Sequence, residues 1–84
     1  MKALDEVQVN PVEKYKEHIH LMLRARFNKD TREEDEQLAI LDHWYLQCDE
    51  VGRNATHEYI ATVIRPIAKI NGIPTELPPL YTPA

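Results

Sequence analysis

NPVEKYKEHIHLMLRARF, residues 10–27, decides the fold class. Asn10 is a helix-capping residue, Pro11 stands at a first helical position that needs no N–H, and Glu13 lies three residues beyond the cap. Behind them Val12, Tyr15, Ile19, Met22, Leu23 and Phe27 recur mostly at steps of three and four, the spacing of one buried helical face. The pattern predicts a helix from Pro11 to Phe27. Leu21 falls off this stripe, roughly 200° from Ile19. It shares a second face with His18 and Ala25, which makes it a candidate edge of a contact surface.

Beyond Phe27, Asn28-Lys29-Asp30 reads as a turn and Thr31-Arg32-Glu33-Glu34 as a second helix start. The carboxylates of Glu33 to Glu36 complement the positive end of the helix dipole. The stripe Leu38, Leu41, Trp44, Tyr45 and Cys48, widened by Ile40, carries this helix to Asp49 or Val51. Gly52 is expected to end it as a left-handed C′ residue. Cys48 reads as a small buried hydrophobe, and the neighbouring Asp49 and Glu50 would keep its thiol protonated.

A third helix is expected from about Ala55 to Ile70, capped by Asn54 or Thr56 and closed by Asn71-Gly72-Ile73-Pro74. Its stripe is Ile60, Val63, Ile67 and Ile70. Tyr59, Ala61, Ile64 and Ala68 spread apolar surface over most of the circumference, which implies burial on two sides. Either the other helices and the tail sandwich it, or it carries a homodimer interface through Ile60, Val63, Ile64 and Ile67. Pro66 sits inside the pattern: it removes the hydrogen bond to the Thr62 carbonyl and should kink or interrupt the helix near Arg65.

The whole therefore reads as all-α: a small three-helix bundle over residues 10–72, with a flexible N-terminal arm (1–9) and a proline-rich extended C-terminal tail (73–84). The expected core is Tyr15, Ile19, Met22, Leu41, Trp44, Tyr45, Ile60, Val63 and Ile67. In the tail Pro74, Pro78, Pro79 and Pro83 favour polyproline geometry. Leu77, Leu80 and Tyr81 could dock it on the bundle beside helix three, or offer Leu77, Pro78, Pro79, Leu80 and Tyr81 to a partner. Pro78-Pro79-Leu80-Tyr81 matches the short pattern that WW domains grip.

Composition sets the function classes. A chain of 84 residues buries a modest core, and its single cysteine forms no internal disulfide. With no signal-like or spanning apolar run, the expectation is a cytoplasmic protein without membrane contact. His18, His20, His43, His57 and Cys48 lack the i, i+3 and i, i+4 partners of a metal site, apart from Glu17 with His20, which suits an ion pair better. Serine is absent, and two glycines build no phosphate loop. No catalytic group, cofactor or metal is therefore expected. The reading favoured is a non-catalytic protein-interaction module: an inhibitor, adaptor or assembly factor acting as a regulator. The alternative is a nucleic-acid-associated regulator using Arg24, Arg26, Lys29 and Arg32. The net charge of −4 weighs against it, and Pro78-Pro79 forbids a recognition helix after the helix-turn-helix-like run Ile64 to Thr75.

Overall fold

α1 spans Pro11–Phe27 and is set by its cap: the Asn10 side chain accepts from the Val12 N–H at 2.9 Å. The computed structural model describes residues 10–77, in which every regular element is a helix and there is no strand. The N-terminal arm (1–9) and the tail beyond Leu77 lie outside the described residues. α1 ends at a tight reversal. Lys29 takes a left-handed φ of 58°, and the Asp30 N–H reaches back to the Ala25 carbonyl at 2.8 Å. Asp30 then caps α2 (Thr31–Gln47) through the Glu33 N–H.

α1 and α2 form a hairpin. Gln37 is buried between them without a polar penalty, because its carbonyl pairs with His18 Nδ1 and its amide donates to Glu33 Oε2, both at 2.8 Å. Ala25, on the Leu21 side of α1, is also buried, while Leu21 itself is half-buried. α1 is thus the helix covered on two sides, the position the sequence assigns to helix three.

Two boundaries differ from the sequence reading. α2 stops at Gln47, and Gly52 does not end it. Cys48 turns extended, and Asp49 caps a new helix, α3 (Glu50–Tyr59), by accepting from the Gly52 N–H at 2.8 Å. Gly52 is therefore inside α3. Its role is close approach: a Cβ there would lie 3.1 Å from Val12 Cγ2 and from Cys48 Cβ. The Tyr45 carbonyl in the last turn of α2 is satisfied by the Cys48 N–H and by Arg53 Nε, whose guanidinium also covers the Tyr45 ring. Tyr59, at the end of α3, is tied to α1 by a hydrogen bond to His20 and by Lys16 over its ring. Glu17 pairs with Lys14 and not with His20.

From Tyr59 the rod continues as one wide π turn, Ile60–Ile64, and then as α4 (Arg65–Asn71). The Arg65 N–H bonds the Ile60 carbonyl, five residues back, and Pro66 follows in the first turn of α4. Here the interruption expected near Arg65 takes a specific form. A π turn spends one extra residue, so everything after it lags by roughly 100°. Gly52, Thr56, Ile60, Ile64 and Ala68, spaced by four, stay on one side, with Ile64 1% and Ala68 0% exposed. Ile67 is carried to the edge, 40% exposed, and Ile70 to the far side, 84% exposed.

The core consists of Tyr15, Ile19, Met22, Leu23, Leu41, Ile64 and Ala68. Trp44, Tyr45, Ile60 and Val63 pack against it half-buried. Ile67 leaves the expected core list and Phe27 the expected stripe, because both are exposed. Gly72 ends α4 in left-handed geometry (φ 67°), and the Ile73 N–H bonds the Ala68 carbonyl.

The register shift has a direct check. Ile64→Ala should cost about 2–5 kcal/mol and Leu41→Ala the same, whereas Ile67→Ala should cost less than about 1 kcal/mol. Urea unfolding measures all three. Equal losses at Ile64 and Ile67 would restore the unbroken helical register.

Candidate functional site

Arg26 is the most heavily engaged polar side chain of the described residues. It sits on the last turn of α1, one residue before the exposed Phe27, and only 10% of its side chain meets solvent. Its Nε donates to Glu34 Oε2 at 2.8 Å; its Nη1 donates to the Pro74 carbonyl at 2.7 Å and its Nη2 to the Glu76 carbonyl at 2.8 Å. The planar fork suits two carbonyls of an extended chain two residues apart. Along that chain exposure alternates: Ile73, Thr75 and Leu77 are half-buried, while Pro74 and Glu76 are exposed. Ile73 and Leu77 pack on the core. The first part of the expected tail is thus docked as an extended strap.

The strap borders an open cleft of about 570 Å³. Its apolar lining is Leu38, Leu41, Ile60 and Leu77, and its polar lining includes Asp42, Tyr45, His57 and Arg65. Tyr15 faces the cleft from the buried side of α1. The polar groups are partly matched among themselves. The Tyr45 hydroxyl and His57 Nε2 share a 2.7 Å hydrogen bond, with their rings stacked at 20°. Burial raises the Asp42 carboxyl above its ordinary range. Burial also pushes the Tyr15 phenol up to about 12, with smaller contributions from the charge of Asp42 and from Tyr45 and Cys48. Such a cleft presents acceptors, donors and apolar surface side by side.

The sequence-named residues scatter. Arg24, Lys29 and Arg32 are exposed, with Arg32 3.6 Å from Glu36, but Arg26 is turned inward and is not available to a phosphate. Leu77 reaches the cleft; Pro78, Pro79, Leu80 and Tyr81 lie outside the described residues. Leu21 is on α1, half-buried. Of the residues named for a dimer face, Ile64 is enclosed in the chain's own core and Ile60 and Val63 pack against it, so only Ile67 stands at the surface. Asp42 and Arg65 are cleft residues with no motif to announce them. Both line it because the π turn and the hairpin bring their helices to one opening. Among the described residues no cluster of three or more His, Cys, Asp or Glu side chains is arranged to hold a metal ion, and no helix is long and apolar enough to cross a membrane. No family model, no curated protein and no solved structure matches this chain.

Two measurements probe this region. Arg26→Lys keeps the charge opposite Glu34 but loses the fork. It should cost about 1.5–3 kcal/mol and raise fast backbone motion at residues 74–77 in NMR relaxation. Unchanged order parameters there would mean the strap does not depend on the guanidinium. The second concerns alkaline pH. The folded state holds the Tyr15 proton more tightly than the unfolded chain, whose phenol ionises near 10.0. Stability is therefore full below pH 10 and falls by about 2–3 kcal/mol toward pH 12. Denaturant titration across that range checks it, with Tyr15→Phe abolishing that part of the decline.

Proposed function

We propose that this chain is a non-catalytic protein-binding module: an inhibitor, adaptor or assembly factor that works by covering a partner surface. One observation carries the reading. Ile67 and Ile70, three residues apart on α4, stay in solvent after the chain has folded, at 40% and 84% exposure. Isoleucine gains about 1.5–3 kcal/mol when fully buried, so two on one short helix form a surface that gains by being covered. A partner with a complementary apolar groove supplies that cover. So does a second copy of the chain, and a homodimer of this kind would use Ile67 with Ile70 in place of Ile60, Val63 and Ile64. The competing nucleic-acid reading has less support, since Arg26, the centre of its basic cluster, is bound to Glu34 and the strap.

The double variant Ile67→Asp, Ile70→Asp tests the proposal. It should melt within a few degrees of the parent chain. It should lose at least about tenfold of the affinity for whichever protein the parent captures from its source cell, a loss of about 1.4 kcal/mol or more. If self-association is the use of this face, light scattering should show the parent above 9.8 kDa and the variant at that mass. Capture and mass both unaltered by the two aspartates would defeat the reading.

A further inference from the structure

The cleft is a trough between two arms laid on α1, which packs against both α2 and α3. α2 supplies one wall with Leu38, Leu41 and Asp42; the rod from α3 to α4 supplies the other with Ile60 and Arg65. Both ends are crossed. The Tyr45–His57 hydrogen bond joins the end of α2 to α3. The strap, anchored on Arg26 beside Glu34, passes near the start of α2, and Thr75, Glu76 and Leu77 line the cleft there. Leu38 and Tyr45 are seven residues apart, so the trough runs for about 10 Å along α2. A peptide running along it meets a barrier at each end, whereas a cavity of about 570 Å³ is the size that takes a small molecule.

Asp42 selects the head group. It is half-buried in the α2 wall, and the ion pairs of the described residues leave it out. Burial raises its carboxyl and no neighbouring cation offsets the rise. Glu76 adds a second carboxylate at the strap end, against the single guanidinium of Arg65, and both of these are exposed to water. A charge with less water around it holds an opposite charge more strongly, so the half-buried carboxylate outweighs the solvated guanidinium. We propose that the cleft is a binding site for a small amphipathic amine, with its protonated amino group on Asp42 and its apolar body against Leu38, Leu41, Ile60 and Leu77. The Tyr45 hydroxyl and His57 are matched to each other and limit the length of that body at the joint end. The site lies apart from Ile67 and Ile70, so it stands or falls independently of the face they form.

The test is methyl NMR on the full chain, titrated with three probes of closely matched skeleton: phenylbutylamine, phenylbutanol and phenylbutanoate. The amine should move the Leu38, Leu41 and Ile60 methyl resonances and bind at least about fivefold more tightly than the alcohol, with the carboxylate weakest. Asp42→Asn, with helical circular dichroism retained, should bring the amine to the affinity of the alcohol. A second reading needs no variant. The Asp42 carboxyl carbon should titrate at lower pH with the amine bound than without it, because a cation beside a carboxylate favours its ionised form. Methyl resonances unmoved by all three probes overturn the proposal, as does an alcohol that binds as tightly as the amine. A carboxylate that binds more tightly than the amine also overturns it and gives the head group to Arg65. An amine preference that survives Asp42→Asn, or an Asp42 titration that the amine leaves unmoved, removes Asp42 from the site and overturns it too.

Discussion

A single missing N–H organises the last third of the fold. Pro66 cannot donate to the Thr62 carbonyl, and its ring crowds that carbonyl. The rod answers with the wide turn from Ile60 to Ile64, whose closing bond runs from Arg65 to Ile60. The extra residue holds Gly52, Thr56, Ile60, Ile64 and Ala68 on one side, where an unbroken α-helix would let a row spaced by four drift by about 40° per step. Thr62 turns its hydroxyl to the Glu58 carbonyl, which supplies one local donor in the loosened stretch. The left-handed Gly72 returns the Ile73 N–H to the Ala68 carbonyl, and the chain leaves α4 toward Arg26 of α1.

At α1 the departing chain meets Arg26. A guanidinium with a tenth of its side-chain surface in water is costly to bury unless its donors find acceptors. Here one carboxylate and two carbonyls take one N–H from each of its three nitrogens. The carbonyls of Pro74 and Glu76 have no helix or sheet to pair with, so the same contacts satisfy both partners. The proline at 74 also lowers the entropy that the strap loses on docking. Ordering the strap extends cover over the core through Ile73 and Leu77, which matters in a chain too small for a large interior.

What could be read beforehand follows from the range of each interaction. The bounds of α1, the start of α2 and the helix stop at Gly72 are all legible, since caps and stops are properties of a few adjacent residues. Gly52 misled because glycine has two uses. It can stop a helix, but its work here is to let α3 approach Val12; Asp49, three residues earlier, is the signal for the new helix. The stripe that joins Ile67 and Ile70 to Ile60 and Val63 assumes one helical pitch throughout, and a proline-induced change of pitch is invisible to that count. The strap's anchor was hidden for a different reason. Arg26 meets Pro74 and Glu76 across most of the chain, and a basic residue beside other basic residues reads as charge until the fold turns it inward. The cleft shares that limitation, as Asp42, His57 and Arg65 belong to three separate helical segments.

Cys48 sits at the joint where α2 yields to α3, buried, with its Sγ on the Trp44 carbonyl at 3.3 Å. Burial pushes its thiol up; the charge of Arg53 draws it back in part, and that of Asp49 adds to the rise. A thiol so placed is chemically quiet while the joint is shut. It would become a nucleophile only if Gly52 and Val12 separated and water entered. Its reactivity is therefore a clock for any breathing at this seam. The rate at which an alkylating reagent consumes Cys48 reports how often the first turn of α3 lifts from α1, against the slower rhythm of global unfolding.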